Sequence, residues 1–271
     1  MKHLLPAFFL TIAFSASAQQ HKLEKIWETD AIVAVPESVL PEKDILYVSL
    51  IDGGAWDADG KGGVGKLSLN GKDYDSTWIS GLNAPKGLGK FKNRLYVADI
   101  NEVVVIDIAK GKIEKKIPIE GASGLNDITV SDKGIVYVSD SKTSKIWRIE
   151  KDKPAEYLDG IKGANGLKAI GNDLIYAEGK MLMKADAKKQ VTKIAEVPEG
   201  IDGIEPAGNG DFIVSAWVGY IYYVTANGQF ENLLDTHDQN KNTADIGYDP
   251  VKKIVYVPTF MGKTVAAYKL Q

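Results

Sequence analysis

An all-β chain built from six repeats is predicted from three observations. The first is a unit seen most clearly in residues 125–141 (LNDITVSDKGIVYVSDS). A polar residue opens a short apolar strand, a turn of Gly, Asn, Asp or Lys follows, and a second strand carries a central aromatic residue. The second is recurrence. Copies at residues 36–49, 85–99, 165–178, 202–216 and 245–259 place Tyr47, Tyr96, Tyr137, Tyr176, Phe212 and Tyr256 in matching positions. Their spacing of about 40 residues suits four strands per unit, the signature of a propeller blade. The third is the lack of any stretch of ten or more residues with a 3.6-residue apolar period. The fold class that follows is a six-bladed β-propeller, one domain over residues 19–271.

In chain order, Lys2 and His3 precede an apolar run over residues 4–14, and Ala16-Ser17-Ala18 supplies small residues where a signal peptidase reads. Residues 1–18 are therefore expected to be a cleaved signal peptide, and the protein to be secreted or periplasmic. The apolar run is too short for a membrane span, and no later stretch approaches that length. Residues 23–29 (LEKIWET) alternate like a strand but belong to no repeat, and the last blade supplies only three strands of its own. An N-terminal strand closing the last blade satisfies both facts and removes an exposed sheet edge.

The first blade is the longest because it carries residues 52–63 (DGGAWDADGKGG), read as a Gly-rich hairpin loop between strands at 45–50 and 66–69. Asp57-Ala58-Asp59-Gly60 matches a fragment of a calcium loop, without the remaining ligand spacing or flanking helices. Gly60 to Lys66 (GKGGVGK) nearly matches a phosphate-binding loop, but Leu67 stands where Ser or Thr would hold magnesium. The alternating residues that follow read as a strand, so no helix N-terminus faces a phosphate. No nucleotide is expected. Blades two to five are regular, with hairpin turns such as Ala226-Asn227-Gly228 where positive φ costs little.

A formal net charge of -3 gives no footprint for nucleic acid or anionic membranes. The absence of cysteine removes disulfides, thiolate catalysis and Cys-based zinc or iron–sulfur sites. The informative residues are those that open each innermost strand: Glu37, Lys86, Asn126, Asn165, Asp202 and Asp245. All are polar, where a purely structural strand would accept Ala, Val or Gly. Three carboxylates against one ammonium leave a deficit that a divalent cation would neutralise. The neighbouring Asp127 would take the place of Asn126 after a one-residue shift.

Pro36-Glu37-Ser38, Leu125-Asn126-Asp127, Ala164-Asn165-Gly166-Leu167 and Ile201-Asp202-Gly203 together resemble the four metal-ligand motifs of the senescence marker protein, gluconolactonase and luciferin-regenerating enzyme family. The resemblance extends at repeat level over nearly the whole mature chain. It implies a six-bladed propeller, a cation held by Glu37, Asn126, Asn165 and Asp202, and hydrolysis of a small lactone or ester substrate. It also implies that Asp202 serves as general base, and Asp245 is a second candidate for that proton. The donor set is hard oxygen, suited to calcium first and to magnesium or manganese, and its lack of His and Cys disfavours zinc.

Lys86 departs from the pattern, since its ammonium is placed to pair with Glu37 or Asp245 and to compete with a cation. It is equally placed to touch substrate, as are Trp56 and Trp217, which follow strands that begin at the channel. His237 is the one histidine near a blade loop, so no His–His hydrolytic dyad is available. A non-catalytic binding propeller, with Lys86 in place of the metal, is the alternative reading of the same ring.

Overall fold

The structure is a computed structural model that describes residues 21–271; the signal-peptide expectation falls on residues 1–18, outside that range. Six four-stranded antiparallel sheets follow one another. Blades 1 to 5 each consist of four consecutive strands. Blade 6 takes three late strands and adds Leu23–Glu28, which pairs antiparallel with Val265–Leu270. The closure expected of the N-terminal strand is what the chain does. The innermost strands are Pro36–Glu42, Pro85–Phe91, Leu125–Val130, Ala164–Ile170, Ile201–Gly208 and Gly247–Asp249. Each touches its neighbour around the ring, and the first meets the last through a bridge between Ser38 and Asp245.

The core lies between blades. Residues alternate along each middle strand, so one face packs on the preceding blade and the other on the next. Tyr96, Val103 and Val105 of blade 2 pack with Ile128, Val138 and Trp147 of blade 3, and Tyr256 of blade 6 packs with Leu46 and Val48 of blade 1. Trp147, Tyr47, Tyr96, Tyr176 and Tyr256 are buried, and Tyr137 is partly buried against the cluster between blades 3 and 4.

One boundary differs from the sequence reading. The third strand of blade 1 is Gly62–Ser68, starting inside the stretch read as loop. Gly63 pairs with Leu50 on one side and Ser80 on the other, and Gly62 pairs with Leu82. A Cβ on Gly63 would come within 2.3 Å of the Ile79 carbonyl oxygen, so this tightly packed strand needs glycine where composition alone suggests a flexible loop. It also disposes of the phosphate-loop resemblance, because those glycines lie in a sheet. Asp59 is spent locally on the Lys61 backbone N–H and ammonium, at 3.1 Å each.

Closure of the ring should be measurable. Trp27 donates Nε1–H to the Leu69 carbonyl at 3.1 Å and packs against Tyr256, tying the N-terminal strand to blades 1 and 6. Trp27→Ala should cost about 2 kcal/mol in urea unfolding, below the usual buried-Trp range because the side chain is only partly buried. An unchanged midpoint would show that the strand contributes nothing to closure.

Candidate functional site: the ring at the channel mouth

The innermost strands do not run straight into the channel. In blades 1 to 5 the register with the second strand shifts between the first and fourth residues, as between Pro36 and Val39 or Ile201 and Ile204. Such a bulge takes the second and third residues out of the ladder and re-aims them. The freed backbone N–H of the third residue needs a partner. In blades 1, 3 and 5 a serine on the second strand provides one: Ser49 Oγ accepts from Ser38, Ser139 Oγ from Asp127, and Ser215 Oγ from Gly203, at 2.8–3.0 Å. The sequence signal for this role is the Ser that follows Tyr-Val or Ile-Val in these second strands, at positions 49, 139 and 215.

The second residues, Glu37, Lys86, Asn126, Asn165 and Asp202, gather at one mouth. Lys86 and Asp202 are each 3% exposed and Glu37 is 5% exposed. The Asn165 amide donates to Asp202 Oδ1 at 2.7 Å, and the Asn126 amide donates to Ser141 Oγ at 3.0 Å. Ser141 is itself pinned by the Ala164 carbonyl at 2.5 Å. Each asparagine thus uses its N–H on a neighbour and leaves its carbonyl oxygen buried without a partner; Glu37 Oε2 is in the same condition. Three unsatisfied buried acceptors in one ring are unusual, since such groups each cost about 1–3 kcal/mol when left unpaired.

Lys86 does not satisfy them. Among the described residues it forms no ion pair with Glu37, Asp202 or Asp245; its ammonium lies over the Trp56 ring, 4.4 Å from the centroid. Burial lowers its pKa, and the charges of Glu37 and Asp202 oppose that shift. Burial also drives Glu37 well above the ordinary carboxylate range, against the pull of Lys86. Asp202 is pushed up to about 6, chiefly by burial.

Asp245 stands apart. It accepts a hydrogen bond from Ser38 Oγ at 2.5 Å, and with Asp127 it faces a cavity of about 270 Å³ that also receives Lys168 and Glu205, not the ring residues. The expected pairing with Lys86 is replaced by Ser38 because the bulge brings Ser38 against the opening of blade 6. Burial pushes Asp245 up to about 7. Asp127 is engaged on both oxygens by backbone N–H groups of Ile128 and Leu167, at 2.6 and 2.5 Å. That leaves Asn126 as the residue of blade 3 with a free donor oxygen. Trp217 is 42% exposed on the rim, packed edge-on against Phe260 at 5.6 Å. His237 lies in an exposed turn, stacked on Tyr220. Among the described residues no group of three or more His, Cys, Asp or Glu side chains could hold a metal, so any cation here depends on the two amides. No helix among them is long and apolar enough to cross a membrane.

Fold and mouth together define a six-bladed β-propeller with a polar ring at one end of its channel. No family model and no curated protein matches the chain in sequence. Among solved structures it is similar to a catalytically inactive variant of virginiamycin B lyase from Staphylococcus aureus with quinupristin, at TM-score 0.66 and 15% identity, covering 92% of this chain and 99% of that one. A streptogramin B lyase gives 0.67 and 13%, over 93% and 98%. A chain of a nidogen/laminin complex gives 0.64 and 14%, over 76% and 82%. At such identities the likeness shows the fold alone.

The buried carboxyls set a pH dependence. Asp202 and Asp245 have folded pKa values of about 6 and about 7 against an ordinary 3.8. Between those limits the native state binds more protons than the unfolded state, so stability falls as pH rises from about 4 to 7. Metal-free protein should have a higher urea midpoint at pH 5 than at pH 8, and Asp245→Asn should flatten the slope. A profile that rises through that range would contradict the site's electrostatics.

Proposed function

We propose that the ring is a divalent-cation site and that the protein hydrolyses small lactones or esters at the channel mouth, like the gluconolactonase-type family whose four motifs it resembles. One observation carries the reading: Glu37 Oε2, Asn126 Oδ1 and Asn165 Oδ1 are buried without partners while the Lys86 ammonium is drawn onto Trp56. Those oxygens and the Asp202 carboxylate form a hard-oxygen set that fits calcium, with magnesium or manganese as alternatives. A cation held there would supply polarisation of the substrate carbonyl and a lowered pKa for water.

The protein's own groups supply the rest. Asp202, with a pKa of about 6, is ionised near neutral pH and suited to take a proton from the attacking water. Asn165 fixes its orientation by donating to one oxygen at 2.7 Å. Asp245 lies one layer deeper and belongs to the same charge network, raising the pKa of Glu37; its part is to hold a proton below the ring. Lys86, Trp56 and Trp217 line the entry for a small-molecule substrate. Export directed by the N-terminal segment would place the protein outside the cytoplasm, where free calcium is plentiful.

The fold serves a lyase in one neighbour and a protein complex in another, so the function rests on the site and not on the architecture. The near-complete burial of Lys86 favours the second reading, a binding propeller without metal. Calorimetric titration of calcium into metal-stripped mature protein separates the two. One equivalent should bind, with affinity at least tenfold lower in Asp202→Ala, and a lactone panel should be cleaved only by the loaded protein. No binding by the wild type would remove the hydrolase and leave the binding propeller.

A further inference from the structure

The mouth holds two ammonium groups and, among the described residues, no carboxylate paired with either. Lys86 Nζ and Lys142 Nζ lie 4.4 and 4.5 Å from the centroid of the same ring, Trp56. They repel one another, and Lys142 contributes to lowering the pKa of Lys86. Like charges drawn onto one aromatic face-pair are held there at a cost that cation–π attraction only partly offsets. Lys86 is 3% exposed, and among the described residues its ammonium donates no hydrogen bond to a protein group.

Lys142 is exposed, but its stem is held in place. Its side chain lies across Gly124: a Cβ on that glycine would meet Lys142 Cγ at 2.6 Å and Cβ at 2.8 Å. Both sides of this contact are fixed by one buried carboxylate. Asp140 accepts from the backbone N–H of Ser123 at 3.0 Å, of Lys142 at 3.2 Å and of Thr143 at 3.0 Å. In blade 2, Asp99 does the same for Asn83 and Ala84, just before Lys86. Two equivalent buried aspartates therefore brace the segments that carry the two lysines toward Trp56.

We propose that Lys86 and Lys142, with Trp56 as their shared platform, form a seat for a small oxyanion, so that the ligand of this mouth carries a carboxylate or phosphate group. The anion bridges the two ammonium groups, neither of which has a carboxylate in direct contact, although the fields of Glu37, Asp202 and Asp99 already act on Lys86. Its role in turnover rests on the hydrolase reading, in which it selects anionic lactones or esters; its binding does not depend on that reading.

The test is titration of metal-stripped mature protein with glycolate and, separately, with inorganic phosphate, followed by calorimetry and by tryptophan fluorescence. Saturable one-to-one binding is expected, and the better-bound probe identifies which oxyanion the seat takes. Lys142→Gln should weaken binding at least tenfold. Gly124→Ala, which keeps every charge but displaces the Lys142 stem, should weaken it several-fold, with an unchanged melting temperature showing that the blade is intact. Failure of both anions to bind, or binding equal in the wild type and both variants, overturns the proposal. Calcium titrated into the same preparation keeps the two ideas separate: anion binding without calcium binding defeats the hydrolase alone, and the reverse defeats the oxyanion seat alone.

Discussion

Six strands converging on one axis crowd each other, and that crowding governs the rest of the molecule. Neighbouring innermost strands come so close that a Cβ on Gly166 would sit 2.1 Å from the Asp202 carbonyl oxygen, and one on Gly203 would sit 2.6 Å from the Ile246 nitrogen. An unbroken ladder would drive side chains into that space. In blades 1 to 5 the bulge relieves it by turning the second residue of the strand to the mouth and leaving the third as Gly or a short polar residue. The cost is a freed backbone N–H, which the buried serines of blades 1, 3 and 5 satisfy. Site and scaffold are thus one device, because the bulge that lets the strands pack also presents Glu37, Asn126, Asn165 and Asp202 together.

Burial then sets the electrostatics. The channel holds Glu37, Asp127, Asp202, Glu205 and Asp245 almost out of solvent, and desolvation is the first cause of every one of their upward pKa shifts. Two lysines offset part of this charge in different ways. Lys168 pairs directly with Glu205 at 2.6 Å, closing the lower layer. Lys86 acts on the ring only through the field, since its ammonium sits on Trp56. Asp127 and Asp245 stay beside the Lys168–Glu205 pair without an ammonium of their own, held by the Ile128 and Leu167 N–H groups and by Ser38. In the ring, Glu37 Oε2 and the two amide oxygens have no such partner.

Much of this was legible in the sequence, and the parts that were not share a cause. The repeats could be read because every blade sets its aromatic residue at the same strand position, and the ring could be read because each opening residue is polar in a position that favours none. Legibility failed wherever a side chain answers to a residue distant in sequence. Asp245 leaves the ring for Ser38, 207 positions away. Gly62 and Gly63 looked like loop because the carbonyl that excludes a side chain belongs to another strand. Lys142 lies after its repeat, and Trp56, on a loop of blade 1 and 86 positions away in sequence, is what gives it meaning.

The two halves of the mouth also constrain each other. A divalent cation in the ring and an ammonium at Lys86 would repel, unless something negative stands between them. Glu37 and Asp202 already lie toward the ring, where the amide carbonyls point to the same demand. An oxyanion on the Trp56 side would screen Lys86 from the ring and let both cations remain. The departure from the family pattern at Lys86 then ceases to be an obstacle to metal binding: it couples the two sites, so that occupancy by an anion should favour occupancy by the cation, with equal and reciprocal effect.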